Sequence, residues 1–480
     1  MHLSIKLALP TALLLLAGCA TSSPQAALPA VQTQLGDRAG LTATWPLTQE
    51  ERAKADEAVR ELLATDLTAD TAVQIALLNN RGLRATFEEL GLSQAGLAAA
   101  TRLPNPSFDA SVRWPKDAPR GPNVEFGLAM PLLESLLLPA RKGVAQNQLL
   151  QTQYRVSHEV LALVAEVRHV IYEILAQQEL RVRLAVIEQI NAAAADFGRR
   201  QFEAGNIAKL DLAQLEASAQ QTQVELARAD AEIRLAREQL NRALSLASSL
   251  TDWKLAGGLP GLPAGDELPD NLEAVAQEHR LDLAAMRTQS ELAQKALDLK
   301  RRTRLLPGAI NLGVDTERDS DGGRLTGPRL GVQLPLFDQG QPELARLSAE
   351  LRQTQDRTEA LSANIGSEVR AARDMLIASR QAAEFYQKTL LPQRRAILRE
   401  SLLHYNAMQK SVYELLAAKE QQQITERQSV EALRDYWFAR TELERALGRH
   451  LPAMAESAAP EKPAEQETEP VEEPHHHSHK

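Results

Sequence analysis

The sequence predicts a mainly α-helical protein with a transmembrane β-barrel portion. Three features carry that expectation: a tandem duplication, helices far longer than a compact domain needs, and two β-hairpins of strict apolar/polar alternation. The 480 residues are 44% hydrophobic but only 4% aromatic, and Ala, Leu, Gln, Glu and Arg dominate. That is the composition of long helices, not of a thick globular core. The net charge of −9 is uneven: residues 455–480 hold seven Glu against two Lys, which leaves −4 for the rest. Such a balance implies no nucleic-acid affinity.

Residues 1–18 read as a secretory signal, with Lys6 before an apolar run through Leu16. The run is too short to span a membrane. The one cysteine, Cys19, ends "LAGC", which resembles the bacterial lipoprotein processing box; lipidation there would make Cys19 the new N-terminus and residues 19–66 a lipidated leading segment. Ala20 is the kind of residue that lets such lipoproteins travel on to the outer membrane. The alternative is an ordinary signal with a chance cysteine. Beyond Cys19 no apolar run of 18 residues occurs, so no transmembrane helix is expected.

Self-comparison shows one unit written twice. The stretch from Phe202 to Leu244 aligns without gaps on Tyr405 to Leu447, and "REQLNRAL" and "RTELERAL" share five of eight residues. The copies occupy 67–250 and 270–450, joined by a Gly/Pro-rich linker at 251–269. Each reads as a helical segment, a hairpin (106–133 and 308–336) and two very long helices (140–200 with 206–247; 342–403 with 409–449). A 60-residue helix would run roughly 90 Å. Pro392 should kink or break the second copy's long helix. An extra "SLLL" at 135–138 makes Ala145 correspond to Ala345, at an offset of 200.

All four hairpin strands alternate. Phe108, Ala110, Val112 and Trp114, then Val124, Phe126, Leu128 and Met130, form one face in the first copy; Ile310, Leu312 and Val314, then Leu330, Val332 and Leu334, form it in the second. The opposite parity holds Asp109, Arg113, Glu125, Asn311, Asp315, Arg329 and Gln333. Apolar outward and polar inward is the pattern of a transmembrane barrel stave. Two hairpins packed on helices would also fit. The barrel is favoured because both copies keep the pattern with different residues, the polar faces carry charge, and the signal exports the chain. Four strands leave two open edges, and unpaired backbone in hydrocarbon costs several kcal/mol per group. The sheet must therefore close through other copies, two giving eight strands and three giving twelve.

The duplicated unit resembles the TolC family of outer membrane efflux channels. The residues that carry the likeness are "LPNP" (103–106), "PLFDQG" (335–340), "FEAGN" (202–206) with Asp211-Leu212 after it, and "LERALG" (443–448). It covers about 67 to 449. The resemblance implies a homotrimer with a twelve-stranded barrel in the outer membrane of a Gram-negative bacterium, continued by an α-helical barrel across the periplasm. It also implies partners: a periplasmic adaptor and an inner-membrane pump, RND type being the expectation. Asp211 and Glu414 match the family's carboxylate rings at the periplasmic gate; solvated helix charges are the alternative. Gly205, Asn206, Met408 and Gln409 match the turns that dock the adaptor, with Met408 standing where Gly205 stands in the first copy, a position uncomfortable for a side chain if the turn is left-handed.

No catalytic constellation occurs, and His158, His169, His279, His404 and His450 are isolated on helical sequence, so the chain reads as a conduit, not an enzyme. Apart from the lipid on Cys19 no cofactor is implied. The tail at 451–480 is expected to be disordered. Its His475, His476, His477 and His479 suit weak metal capture, with a chance cluster or cloning remnant as alternatives. Tail and acidic tips lean toward export of heavy-metal cations such as copper or zinc. Small organic toxins, or a lipid-anchored coiled-coil scaffold with no channel, are the competing readings.

Overall fold

A computed structural model describes residues 23–451, apart from 115, 117–120, 305, 307 and 308. The signal at 1–18, Cys19 and the tail histidines 475, 476, 477 and 479 lie outside the described residues.

Where sequence reading gave residues 19–66 no structure, a 3₁₀ turn (Pro24–Ala27), α1 (Leu28–Ala39) and α2 (Gln49–Leu63) are folded onto the first copy. Thr48 accepts from the Glu51 backbone N–H at 3.1 Å while Glu51 returns to Thr48 N, a capping box that starts α2. The first copy continues with α3 (Ala69–Asn79), α4 (Arg81–Ala100), β1 (Ser107–Arg113), β2 (Asn123–Pro131), a short α5 (Leu132–Leu136), α6 (Leu138–Glu203) and α7 (Lys209–Ala243). The second has α8 (Leu272–His279), α9 (Leu281–Thr303), β3 (Ile310–Arg318), β4 (Arg324–Val332), α10 (Gln341–Phe385), α11 (Leu391–Asn406) and α12 (Val412–Leu447).

The 66-residue α6 runs roughly 100 Å at 1.5 Å per residue. One of its stripes, Val156, Val160, Val167, Ile171 and Ile174, is buried against Val31, Leu35, Ile75, Phe87 and Leu90 of α1, α3 and α4. Trp45 stacks on Phe87 with centroids 6.1 Å apart. A second core joins Leu272, Leu283, Ile365, Val369, Leu376, Tyr436 and Leu443. Each fully buried aliphatic side chain contributes about 1.5–3 kcal/mol. The long helices lie in the order α7, α6, α12, then α10 with α11, each neighbour antiparallel to the next.

Two splices extend the short helices toward the sheet. Asn80 caps the start of α4, accepting from Leu83 N at 2.8 Å, while its amide donates to Ala243 O at 2.7 Å at the end of α7. Asn79 donates to Leu244 O and Ser245 O as well. One side chain thus serves the free N–H groups of one helix and the free carbonyls of another. At the corresponding joint of the second copy Arg38, from α1, links the end of α8 to the residues after α12, donating to His279 O at 2.9 Å while its own carbonyl accepts from His450 N.

The linker at 251–269 is a packed strap, not a free spacer. Leu67 and Leu255 form a parallel bridge, Trp253 is buried with its indole N–H on Asn241 Oδ1 at 2.8 Å, and Pro260 O accepts from Trp437. Asp266 accepts from Tyr436 (2.7 Å), Arg440 (2.8 Å) and Arg380 (2.9 Å). Its Gly/Pro content signalled irregular backbone correctly; the partners of Asp266 lie over 100 residues away and leave no local trace.

Pro392 neither breaks nor ends its helix. A π-helical turn at Tyr386–Leu390 precedes it, closed by Leu391 N on Tyr386 O, and α10 passes into α11 through that turn. Burial also corrects the offset of 200. "LLQTQ" (149–153) pairs with "LRQTQ" (351–355), with Thr152 and Thr354 both buried, an offset of 202; at the tips Gly205 and Met408 share a left-handed φ, an offset of 203. The second copy has gained one residue between those points, and a π-turn is how a helix absorbs one. The "SLLL" stretch forms the end of α5 and the start of α6.

The four strands make one antiparallel sheet in the order β1-β2-β3-β4, so the hairpins of the two copies join through β2 and β3. Trp114, Gln333 and Leu334 fall just beyond the strands in which sequence reading placed them, although Gln333 N still donates to Ala309 O at 3.0 Å. Odd residues of β4 therefore bond inward to β3, and the missing N–H of Pro328 falls on the open edge, where proline is tolerated in sheets.

Candidate functional site

The sheet register sorts side chains to two faces. Phe108 opposes Leu128, Ala110 opposes Phe126 and Val112 opposes Val124; Leu128 and Met130 oppose Val314 and Leu312; Leu312 and Ile310 oppose Leu330 and Val332. This places the apolar strand residues on one surface, and its large side chains are exposed: Phe108 67%, Leu128 55%, Leu330 65%. Phe108 and Phe126 stack at 6.1 Å. The surface turns polar at the end remote from the helices, where Thr316 and Thr326 hydroxyls lie 2.9 Å apart and Arg318 opposes Arg324. An exposed apolar band bounded by polar residues marks a surface that meets a membrane or another apolar partner.

The other face holds Asp109, Arg113, Glu125, Asn311, Asp315 and Arg329. Arg113 bridges Glu125 at 2.6 Å and Arg329 bridges Asp315 at 3.6 Å. Glu125 directly opposes Glu317, a pairing that costs energy between like charges. Arg113 neutralises the first, and Asn123 Nδ2 donates to the second at 2.5 Å. Glu317 was missed from sequence because the hairpin turn there hid where the strand ended. A methyl at Gly127 would come within 2.7 Å of the Asp315 carboxylate, so a side chain there would push that carboxylate aside.

At the opposite end of the molecule two turns share one geometry. Gly205 has φ 76 and Met408 φ 57; Asn206 N donates to Gln201 O and Gln409 N to His404 O, both at 2.8 Å. These are helix ends of the Schellman type. Met408 is 95% exposed, while Asn206 and Gln409 bond back to Gln201 and His404 side chains. Asp211 and Glu414 stand at the third position of α7 and α12, and each accepts the backbone N–H that precedes its helix: Ala208 N at 3.2 Å and Ser411 N at 2.9 Å. Hydrogen bonds from Ser411 hold the Glu414 carboxyl below its ordinary range. Ser411-x-x-Glu414 is a capping box legible in sequence and overlooked there. Ile207, Asp211, Gln214, Leu215, Ser218 and Tyr413 line a hollow between the tips of α7 and α12.

The helical histidines do not converge. His169 stacks on Phe438 at 3.8 Å, where burial lowers its pKa, His279 Nδ1 bonds Val275 O, and His450 pairs with Glu444 at 2.7 Å. Among the described residues no group of three or more His, Cys, Asp or Glu is placed to hold a metal, and no helix is long and apolar enough to cross a membrane.

No family model matches the chain. It is 24% identical over 389 residues to the cobalt-zinc-cadmium resistance protein CzcC of Cupriavidus metallidurans, which covers 80% of this chain and 91% of that one. Its fold matches the Campylobacter jejuni CmeC outer membrane channel with a TM-score of 0.68 at 14% identity, over 86% and 90% of the two chains. It matches CusC with a TM-score of 0.65 at 18% identity, over 80% and 92%. A duplicated helix, hairpin and helix-pair unit thus carries a fold that the chain shares, over most of its length, with these outer membrane channel structures.

Proposed function

We propose that the chain is the outer membrane channel of a tripartite efflux system: a passive duct across periplasm and outer membrane. The observation that carries this reading is the four-stranded sheet, with one exposed apolar face, one charged face and two open edges, mounted on antiparallel helices of up to 66 residues. Such a sheet is stable in lipid only when closed. Three copies give a twelve-stranded barrel with the charged face around water, and Cys19 adds a lipid anchor. The two tips, ringed by Asp211 and Glu414, form the periplasmic gate, and the turns at Gly205–Asn206 and Met408–Gln409 meet a periplasmic adaptor that recruits an RND-type pump. The likeness to CzcC supports heavy-metal cations as cargo. The chain's role is conduction, not catalysis.

Planar-bilayer recording of the purified full chain, together with its mass in mild detergent, tests the duct. Steady cation-preferring current from a species of three subunits is expected; no current and a compact monomer would remove the reading. Loss of the gene should sensitise cells to zinc, cobalt or cadmium. Sensitivity confined to organic toxins would reassign the cargo and leave the channel intact. Deleting the His-ended tail and repeating metal calorimetry decides whether 475–479 captures metal: unchanged binding rejects it.

A further inference from the structure

The helices meet the sheet at one level, and cations gather there from helix ends of both polarities. Lys300, Arg301 and Arg302 close α9, with Arg304 just after, where positive charge complements the helix dipole. Arg141 and Lys142 stand in the first turns of α6, which has no acidic residue in its first turn. There the dipole opposes them, so helix stabilisation does not account for the cluster. Compensation is partial: Arg141 reaches Glu134 at 3.8 Å, Arg301 reaches Asp298 at 3.7 Å, and Glu343 lies near enough to Lys300 to feel its charge. Lys142, Arg302 and Arg304 show no ion pair among the described residues. Within five residues of the ends of β2 and β4 follow the exposed Leu136, Leu336 and Phe337, the last 97% exposed.

We infer that this junction is a binding belt for anionic phospholipid headgroups of the inner leaflet, the basic residues taking the phosphates while Leu136, Leu336 and Phe337 sit among the first acyl carbons. The inference rests on the sheet being the membrane portion, as proposed above. Nearness along the chain to the apolar strands sets the depth, and the charge selects the headgroup: cations beside a lipid surface attract anionic lipid and do so less as salt rises.

The experiment reconstitutes the full chain in discs of phosphatidylcholine alone or mixed in equal parts with phosphatidylglycerol, and counts retained lipid by native mass spectrometry. The wild type should keep phosphatidylglycerol several-fold over phosphatidylcholine, and high salt should erase the preference. A variant with Lys142→Gln, Arg302→Gln and Arg304→Gln should lose it while single-channel conductance stays unchanged. Should the triple variant fold poorly, the wild-type salt dependence and the single Arg302→Gln variant carry the same comparison. A conducting wild type with no headgroup preference, or a variant that keeps it, overturns the belt. Failure to insert or conduct at all strikes instead at the channel reading on which it rests.

Discussion

Met408 holds φ 57, a left-handed conformation that costs a residue with a Cβ roughly 1–2 kcal/mol. Glycine pays part of that back as unfolded-state entropy, so Met408→Gly should steady the second tip by about 0.5–1 kcal/mol. Slower hydrogen exchange at residues 405–411 would register it; unchanged exchange would mean the strain is relieved elsewhere. Asp266 poses the opposite case, a carboxylate 7% exposed between Arg380 and Arg440. Asp266→Ala leaves Arg380 and Arg440 only their weaker partners, Glu384 and Glu444, and should cost about 1.5–3 kcal/mol in denaturant unfolding. A loss under 1 kcal/mol would show that the strap is not anchored there. The sequence displayed the Met408 substitution because its repeat partner is glycine. It gave no sign of Asp266, whose partners Arg380, Tyr436 and Arg440 are brought near only by the fold.

Among elements, the start of α12 depends on a carboxylate. Folding lowers the Glu414 pKa, so its cap contributes fully above the ordinary value of 4.5 and is lost as pH falls through the folded value. Amides near 411–415 should therefore lose protection in acid ahead of those in mid-helix, and Glu414→Gln should flatten that dependence; an equal response in both would reject the link. The π-turn offers a sharper test. Because Tyr386–Leu390 holds one surplus residue, deleting Lys388 with Pro392→Ala should leave an ordinary helix with both flanks in register. Deleting one residue from the unbroken middle of α6 rotates everything beyond it by about 100° and should abolish folding. Equal damage from both would show that the turn absorbs nothing. Long helices, hairpins and repeat were readable from period alone. The π-turn was not, since Pro392 announces a disturbance without saying whether the helix breaks or widens, and α1 and α2 were passed over because the lipid-anchor reading took their place.

For the molecule as a whole, the two faces of the sheet should answer differently to charge. Leu128→Arg places a guanidinium on the apolar side, at a cost of about 2–4 kcal/mol if it lies near mid-bilayer, and should block membrane insertion. Asp109→Arg, one residue from Leu128's partner Phe108 and on the opposite face, should insert normally and lower cation selectivity in reversal-potential measurements. Similar outcomes for both would mean that the faces are wrongly assigned. Alternation alone allowed this assignment; only the pairing of β2 with β3 shows that the two hairpins share one sheet.

The outer margins of β1 and β4 have a genetic consequence. In the closed barrel proposed above, a chain that borrows a neighbour to satisfy its backbone cannot finish alone, and one spoiled margin ruins every ring it enters. Pro328 already withholds one donor from that margin, so a second proline at Thr326 or Leu330, whose N–H groups face the same way, should act dominantly. Coexpressed with normal chains, it should, in the trimer proposed above, depress intact assemblies as the cube of the normal fraction, not in simple proportion.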